Sequence, residues 1–501
     1  LCLHTDSNPH IFEDPASETD FSMPASLALI LWFLLLLALL AFDPAKDKAT
    51  SPALWIPIAW MFFLASRLPS QWLGESSIGQ AAQAMQDGNP LDRGVLSFLI
   101  LLALVVLISR SFKWSSFIAN NSFLAAYLLF ALVSVVWSDF PLVACKRWFR
   151  DLGDYLVILV IVSDPRPLEA LRTVLRRLSY LLLPLSVLVI KYFPQMGTAY
   201  DNWTGEKMWV GVTTSKNMLG MACLVCGLFL FWDVLARWSE RKERRAKRIL
   251  ILDAAFLVMT FWLLNLSHSA TSKVCLALGC LVILATRAKL FKRHPGFLKF
   301  LIPVSFLLYL LLAFGFNLMG DMAEQLGRNP TLTDRTKIWS AVLSIKTNPL
   351  VGTGYASFWL GSRLPRVWAL AGRVNEAHNG YLEVYLNLGL IGVALLIAYL
   401  LASYRRICKT MSNDLGLASL SLALWAVILF YDMTEAGFRS SFVWLTFLTV
   451  AFITATAKRS APASAPALSL ARLPTPEPND PRAPMRTPAR TLQPRTFRRG
   501  S

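Results

Sequence analysis

The chain has 501 residues, of which 55% are apolar and only 16% are charged, a composition too apolar for an ordinary soluble protein of this length. The net charge of +18 is concentrated in short segments between apolar runs and near the C terminus, where it orients a membrane protein and argues against a nucleic-acid partner. The seven cysteines lie mostly inside apolar runs and give no paired Cys-x-x-Cys pattern, so we expect no metal site there.

The first 22 residues are polar and acidic and lack the basic segment that opens a signal peptide. Met23 directly precedes the first apolar run. It is an alternative start, in which case the polar extension 1–22 is not translated. The multispanning membrane domain is predicted to cover 23–459.

Apolar runs of the length that crosses a hydrocarbon layer recur along this domain. They predict an all-α, polytopic transmembrane bundle of about twelve or thirteen spans, with one long periplasmic loop containing short helices. The predicted spans are 25–42, 52–66, 94–109, 119–137, 152–163, 174–191, 211–236, 249–266, 270–286, 297–316, 385–403, 415–431 and 440–457.

The basic segment Arg237 to Arg248 is predicted to lie in the cytoplasm by the positive-inside rule. Counting spans from it places the long loop 317–384 outside, together with the connection 192–210 and the turns 137–151 and 432–439. Long loops of membrane proteins usually carry function. The tail 460–501 is basic and rich in Pro and Ala, which predicts a disordered cytoplasmic segment that could contact anionic lipids or remain solvated.

In the long outer loop, RTKIWSAVLSIKT from Arg335 to Thr347 has the apolar spacing of a short amphipathic helix. Two interpretations of Arg335 remain open. It binds an anion outside the membrane, or the helix rests on the membrane and Arg335 faces lipid headgroups.

The segment AHNGYLEVYLNLG carries a polar start directly into an apolar span. Asn379, Glu383 and Asn387 recur every fourth residue, so they form a stripe that should face a polar cavity or a partner helix rather than lipid. His378 precedes this helix, where the dipole disfavours imidazolium and favours a neutral ring able to act as a general base. The alternative is a structural histidine.

Other outer-side residues are candidates for binding an anionic substrate. Lys216 and Asn217 enter an apolar helix, where Lys216 either binds phosphate or snorkels to the interface. Arg147, Arg150 and Arg373 stand where the positive-inside rule discourages cations, which a bound pyrophosphate would explain. The alternative is that Asp139, Asp151 and Asp154 neutralise the first two.

Together these segments resemble the O-antigen ligase and polymerase family, including its exopolysaccharide production members, over about 120–455. The resemblance rests on Arg335-x-x-x-Trp339, Pro349-x-x-Gly352-x-Gly354, His378-Asn379 with Glu383 and Gly389-x-x-Gly392, and Lys216-Asn217. It implies a transferase without metal or other cofactor in a bacterial inner membrane, acting at the periplasmic face on an undecaprenyl-pyrophosphate-linked oligosaccharide.

The resemblance also implies roles for residues. His378 and Arg335 look like the catalytic histidine and the arginine that meets the pyrophosphate, whereas Lys216, Asn217, Arg147, Arg150, Arg373, Asn379 and Glu383 are expected to bind pyrophosphate or glycan. The acceptor is a glycan, a lipid or a protein, and other polysaccharide assembly proteins are expected partners. A transporter or flippase of lipid-linked glycan is the alternative, although it predicts midplane charges and two related halves.

Overall fold

The computed structural model describes residues 23–43, 51–74, 88–200, 205–289, 295–315 and 335–456. The extension 1–22, the first part of the outer loop up to residue 334, and the tail from 457 onward lie outside the described residues. The predictions made for those three segments therefore stay predictions.

The described chain is helical almost throughout, which confirms the all-α prediction, and its one small sheet is an antiparallel hairpin of two three-residue strands. In chain order the elements are α1 (Ala25–Ala41), α2 (Trp55–Ala65), α3 (Pro69–Trp72), α4 (Pro90–Ser109), α5 (Trp114–Asn120), α6 (Ser122–Val133), α7 (Pro141–Val162), α8 (Pro167–Tyr192), α9 (Pro194–Gly197), β1 (Thr198–Tyr200), β2 (Lys207–Trp209), α10 (Lys216–Arg237), α11 (Arg244–Leu266), α12 (Ala270–Arg287), α13 (Pro295–Gly315), α14 (Arg335–Ser344), α15 (Arg363–Ala371), α16 (Gly380–Thr410), α17 (Leu415–Tyr431) and α18 (Phe442–Thr456).

Six of these helices are long and apolar enough to cross a membrane, namely α4, α8, α10, α11, α12 and α16. Helices α5 and α6 form a further apolar pair bent by 96°, and α1, α2, α13, α17 and α18 are shorter apolar helices. Each predicted span falls on one of these helices or on α7. The chain is a multi-pass membrane protein.

The bundle has central and peripheral helices. In the most apolar stretches of α8 and α10, 83% and 78% of the residues are buried, against 22% in α4. Helices α17 and α18 are also buried along almost their whole length. Helix α4 is therefore peripheral and packs one face on α7, while α8, α10, α17 and α18 form the protein-lined core on which the outer loop rests.

Ion pairs join α8, α10 and α11 at the end of α10 that leads into the basic segment 237–248. Asp233 pairs with Arg176, with Arg172 at 3.3 Å and with Arg237 at 2.7 Å, and Asp253 lies 3.4 Å from Arg176. Both carboxylates are fully buried. Buried charges of this kind persist only when paired, so this cluster fixes the packing of three helices about 24 Å along α10 from Asn217.

The predicted turn 137–151 is wrong from Pro141 onward. The helix α7 begins at Pro141 and includes Lys146, Arg147, Arg150 and Asp151 before it becomes apolar. Proline suits the first helical position because its missing N–H needs no partner there. The charges interrupted the apolar run, and hydropathy alone therefore placed a loop where a helix begins.

The helix α16 is broken at Gly389, where φ is 62° and ψ is −165°. The chain after Pro349 runs alongside this break, and the N–H groups of Leu390 and Ile391 donate to the carbonyls of Pro349 and Leu350 at 2.9 and 3.1 Å. The outer loop thus supplies acceptors that a continuous helix would have provided. Backbone hydrogen bonds therefore join the Pro-x-x-Gly-x-Gly segment to the break at Gly389.

Replacing Gly389 by alanine is expected to destabilise the protein. A Cβ at this residue would lie 2.3 Å from the carbonyl of Leu350, and the positive φ alone costs about 1–3 kcal/mol for a residue with a side chain. Thermal unfolding in lipid nanodiscs measures the loss. Gly94→Ala in α4 is the matched control, because nothing lies within 4 Å of its Cβ; an equal melting temperature for Gly389→Ala and wild type would contradict this account.

Candidate active site in the outer loop

Arg335 opens the helix α14, which packs on the protein instead of lying free on the membrane. Ile338, Ala341 and Val342 are buried in a small apolar core of the outer loop. Trp339, one turn after Arg335, donates from Nε1 to the carbonyl of Ala377 at 2.9 Å. The Arg-x-x-x-Trp spacing thereby holds Arg335 beside the segment that carries His378.

A carboxylate that sequence reasoning missed stands at the middle of this arrangement. Glu435 lies on the turn between α17 and α18 and is only 5% exposed. Its Oε1 accepts from Arg335 at 2.7 Å and from the side-chain amide of Asn217 at 3.0 Å. Three segments far apart in sequence therefore meet at one carboxylate oxygen.

His378 is the fourth member of this group. Its Nδ1 lies 3.0 Å from Glu376 Oε1 and 3.5 Å from Glu435 Oε2. Its backbone has φ of 48°, a left-handed conformation that is costly for a residue with a side chain and is often found at functional sites. We call Asn217, Arg335, Glu376, His378 and Glu435 the Glu435 centre.

The charge of His378 differs from the prediction. Burial of the ring lowers its pKa, but the nearby carboxylates of Glu376 and Glu435 outweigh burial and raise the pKa to about 10. The neutral ring expected from the helix dipole is therefore wrong for the free protein, in which His378 is an imidazolium at neutral pH. The dipole argument considered only the helix that follows, not a carboxylate from another turn.

We expect the His378 ring to stay protonated from about pH 7 to 9 and to titrate near pH 10, since its folded pKa lies above the ordinary value of 6.5. The stabilisation from this proton is fully present below pH 6.5 and is lost as the pH rises through 10. Nitrogen NMR of histidine-labelled protein, with the signal assigned by its absence in His378→Gln, measures the titration. A neutral ring at pH 7 would contradict the electrostatics.

Asn379 and Glu383 hold the His378 segment in place. The Asn379 side chain caps α16 by accepting from the Leu382 N–H at 3.0 Å and donates to the Met433 carbonyl at 3.2 Å. Glu383 Oε1 accepts from the Ala377 N–H at 2.6 Å. These side chains face protein, as the stripe predicted, and their bonds position His378 and the 432–441 turn.

Lys216 and Arg373 are also predicted to bind substrate, but the structure does not bring them into the Glu435 centre. Lys216 stands next to Asn217 in the first turn of α10 and is half-buried, and Arg373 is exposed. Among the described residues neither makes an ion pair. Both residues are close in sequence to members of the Glu435 centre, but no contact in the described chain joins either side chain to it.

Arg147 and Arg150 project from α7. Arg150 pairs with Asp151 at 2.6 Å, as the neutralising alternative required, whereas Arg147 donates to the Ala356 carbonyl at 2.5 Å. Asp154 accepts instead from Trp60 at 2.7 Å. Arg147 also lies near Arg439, which the sequence did not single out.

The donor atoms of Glu376, His378 and Glu435 all lie within 4.8 Å of one another and could hold a metal ion. This set could not be recognised from the sequence because its members are separated by up to 59 positions. Glu435 is also paired with Arg335 at 2.7 Å, a cation that would compete with a metal for the same oxygen. Metal independence stays a prediction.

Two comparisons with known proteins bear on the family of this chain. Residues 254–397, which include Arg335 and His378, match the family model described as O-antigen ligase. The chain is also 27% identical over 309 residues, 59% of this chain and 67% of the relative, to the exopolysaccharide production protein ExoQ of Rhizobium meliloti (strain 1021). The activity that this family supports is glycan ligation or polymerisation in exopolysaccharide or lipopolysaccharide biosynthesis. The family match and this relative together support the O-antigen ligase and polymerase family for this chain.

Proposed function

We propose that this protein transfers or polymerises glycan from an undecaprenyl-pyrophosphate-linked donor at the periplasmic face of a bacterial inner membrane, with the Glu435 centre as its active site. The observation that carries the proposal is the convergence of Arg335, His378 and Asn217 on one carboxylate, that of Glu435. A site that holds two cations and an amide donor in fixed positions is suited to a pyrophosphate.

The carboxylates of the Glu435 centre keep its cations in place while the site is empty. When the donor binds, the pyrophosphate oxygens compete with Glu435 for the guanidinium of Arg335, which has enough N–H donors for both. The imidazolium of His378 supplies a further charge-assisted donor. Negative charge that develops on the departing pyrophosphate is thereby stabilised.

The reaction proposed is direct displacement. The acceptor hydroxyl attacks the anomeric carbon of the donor, the bond from that carbon to the pyrophosphate oxygen breaks, and undecaprenyl pyrophosphate leaves with the electron pair. Because His378 already carries a proton, the hydroxyl proton passes to a carboxylate. Glu376 fits this role because its side chain is 45% exposed and the neighbouring imidazolium outweighs burial and lowers its pKa, so it is ionised.

The membrane side follows from the predicted topology. The basic segment 237–248 is expected in the cytoplasm, which puts α14, the His378 segment and the 432–441 turn on the opposite side. A polyprenyl pyrophosphate donor at the periplasmic leaflet would reach the site from the membrane plane. The acceptor is proposed to be another glycan chain, since the relative is an exopolysaccharide production protein. Assembly with other polysaccharide proteins is proposed on the same ground.

Reconstitution tests this function and its rival. Purified protein in liposomes receives a labelled lipid-pyrophosphate oligosaccharide with EDTA and without ATP. The proposal predicts longer glycan and one free undecaprenyl pyrophosphate per new glycosidic bond. Movement of intact donor between leaflets without new bonds would favour a flippase. Transfer only after addition of a divalent cation would indicate that Glu376, His378 and Glu435 bind a metal ion.

A further inference from the structure

A partly open cavity lies next to the Glu435 centre. Its walls come from α6, from the segment at Tyr355, from the start of α16 and from the turn before α18. We call it the Arg439 cavity. Its polar and aromatic walls are formed by Tyr127, Tyr355, Glu383, Asn387, Phe438 and Arg439.

Most hydrogen-bonding groups in these walls are already used inside the protein. Glu383 accepts from Trp359 Nε1 at 2.8 Å, and Asn387 Oδ1 accepts from the Phe358 N–H at 3.1 Å. The Tyr355 hydroxyl donates to Asp151 Oδ2 at 2.8 Å. The acceptors in the cavity therefore have little free capacity.

Arg439 is the exception. It is partly exposed and, within the described chain, forms neither a hydrogen bond nor an ion pair. Arg147 lies near enough for the two guanidinium groups to repel each other. Glu376 and Glu383 act on Arg439 electrostatically, but neither carboxylate accepts a hydrogen bond from it. The N–H donors of Arg439 are therefore available to a ligand with acceptor oxygens.

The cavity and the Glu435 centre share their framework. The turn that carries Glu435 also carries Arg439, and Gly380, two residues after His378, forms part of the cavity wall. Arg439 is also close enough to act electrostatically on Glu376. A ligand in the cavity would therefore lie beside the reacting groups.

We propose that the Arg439 cavity is a sugar subsite, in which Arg439 donates to the oxygens of the pyranose next to the reacting bond and Tyr127 and Phe438 provide aromatic walls. The class of ligand is an oxygen-rich sugar, neutral or acidic, of either donor or acceptor. This inference rests on the proposed function and assigns Arg439 the role of a specificity residue. The pyrophosphate is bound by Arg335 and His378.

Transfer kinetics with Arg439→Gln test the assignment. Loss of a charge-assisted donor to the sugar should raise KM for one glycan substrate about tenfold to a hundredfold, with little change in kcat. A higher KM for the acceptor locates the acceptor sugar in the cavity, and a higher KM for the donor locates the donor sugar. Arg439→Lys should recover part of the loss. Arg366→Gln, an exposed arginine on α15, is the matched control.

Two outcomes would overturn the subsite. One is unchanged KM for both substrates. The other is inhibition by inorganic pyrophosphate that weakens in Arg439→Gln as much as in Arg335→Ala, because Arg439 would then belong to the pyrophosphate site.

Direct binding separates this inference from the proposed function. Saturation-transfer NMR with repeat-unit oligosaccharide and wild type, Arg439→Gln or Arg366→Gln in nanodiscs requires no catalysis. Loss of signal only in Arg439→Gln supports the subsite even if no transfer occurs, whereas equal signals in all three proteins, or none in wild type, reject it.

Discussion

Arg335→Ala is expected to reduce kcat/KM for glycan transfer about a hundredfold to a thousandfold, the loss typical of removing one donor that stabilises a developing anion. The guanidinium has a fixed position because Glu435 holds it at 2.7 Å and its helix is anchored through Trp339. Arg335→Lys should recover only part of the activity, since an ammonium cannot form the paired hydrogen bonds of a guanidinium. Single-turnover transfer in liposomes measures the effect.

Lys337→Ala is the matched control, because Lys337 is an exposed cation on the same helix and should transfer like wild type. The melting temperatures of both variants separate folding from chemistry. Equal transfer by Arg335→Ala and Lys337→Ala, in folded protein, would remove Arg335 from the site.

Glu435→Gln is expected to lower both stability and transfer. The substitution leaves Arg335 without its buried counter-charge, and breaking a buried ion pair by removing one partner costs about 3–5 kcal/mol. It also removes one of the two carboxylates that raise the pKa of His378. The alkaline fall in kcat/KM, set by loss of the imidazolium proton, should therefore move to lower pH.

A double-mutant cycle tests whether Glu435 and Arg335 act as one unit. If they do, Arg335→Ala with Glu435→Gln should be little worse than Arg335→Ala alone, in both melting temperature and kcat/KM. Additive losses would show that Glu435 acts independently of Arg335. A pH profile in Glu435→Gln that coincides with that of wild type would contradict the electrostatic coupling to His378.

Much of the fold could be predicted because the length of each apolar run directly indicates a membrane helix. Lipid demands internally bonded helices about 20 residues long, and each predicted span falls on a helix. Arg335 and His378 could also be singled out, since an arginine helix and a polar helix start are local patterns. The contact that each residue makes with Glu435 was not visible in either pattern.

The predictions that were wrong or incomplete mostly concern residues whose surroundings come from segments distant in sequence. Glu435 and Arg439 lie in DMTEAGFRSS, the ten residues between two apolar helices. The dense polar composition of this turn was the available signal. The charge of His378 could not be predicted because two carboxylates, one of them 57 positions away, outweigh the local dipole. In α7, the charges that interrupt the apolar run predict a loop, although the helix begins at Pro141.

The most direct test of the central claim is to map the donor's pyrophosphate on the protein. A polyprenyl-pyrophosphate oligosaccharide with a photoreactive group on the first isoprene unit is bound to the protein in nanodiscs, irradiated and digested, and the labelled peptides are identified by mass spectrometry. The account predicts labels near Arg335, in the His378 segment or in the 432–441 turn, reduced by inorganic pyrophosphate. Labels confined to the end of α10 near Arg237, or unaffected by pyrophosphate, would contradict it.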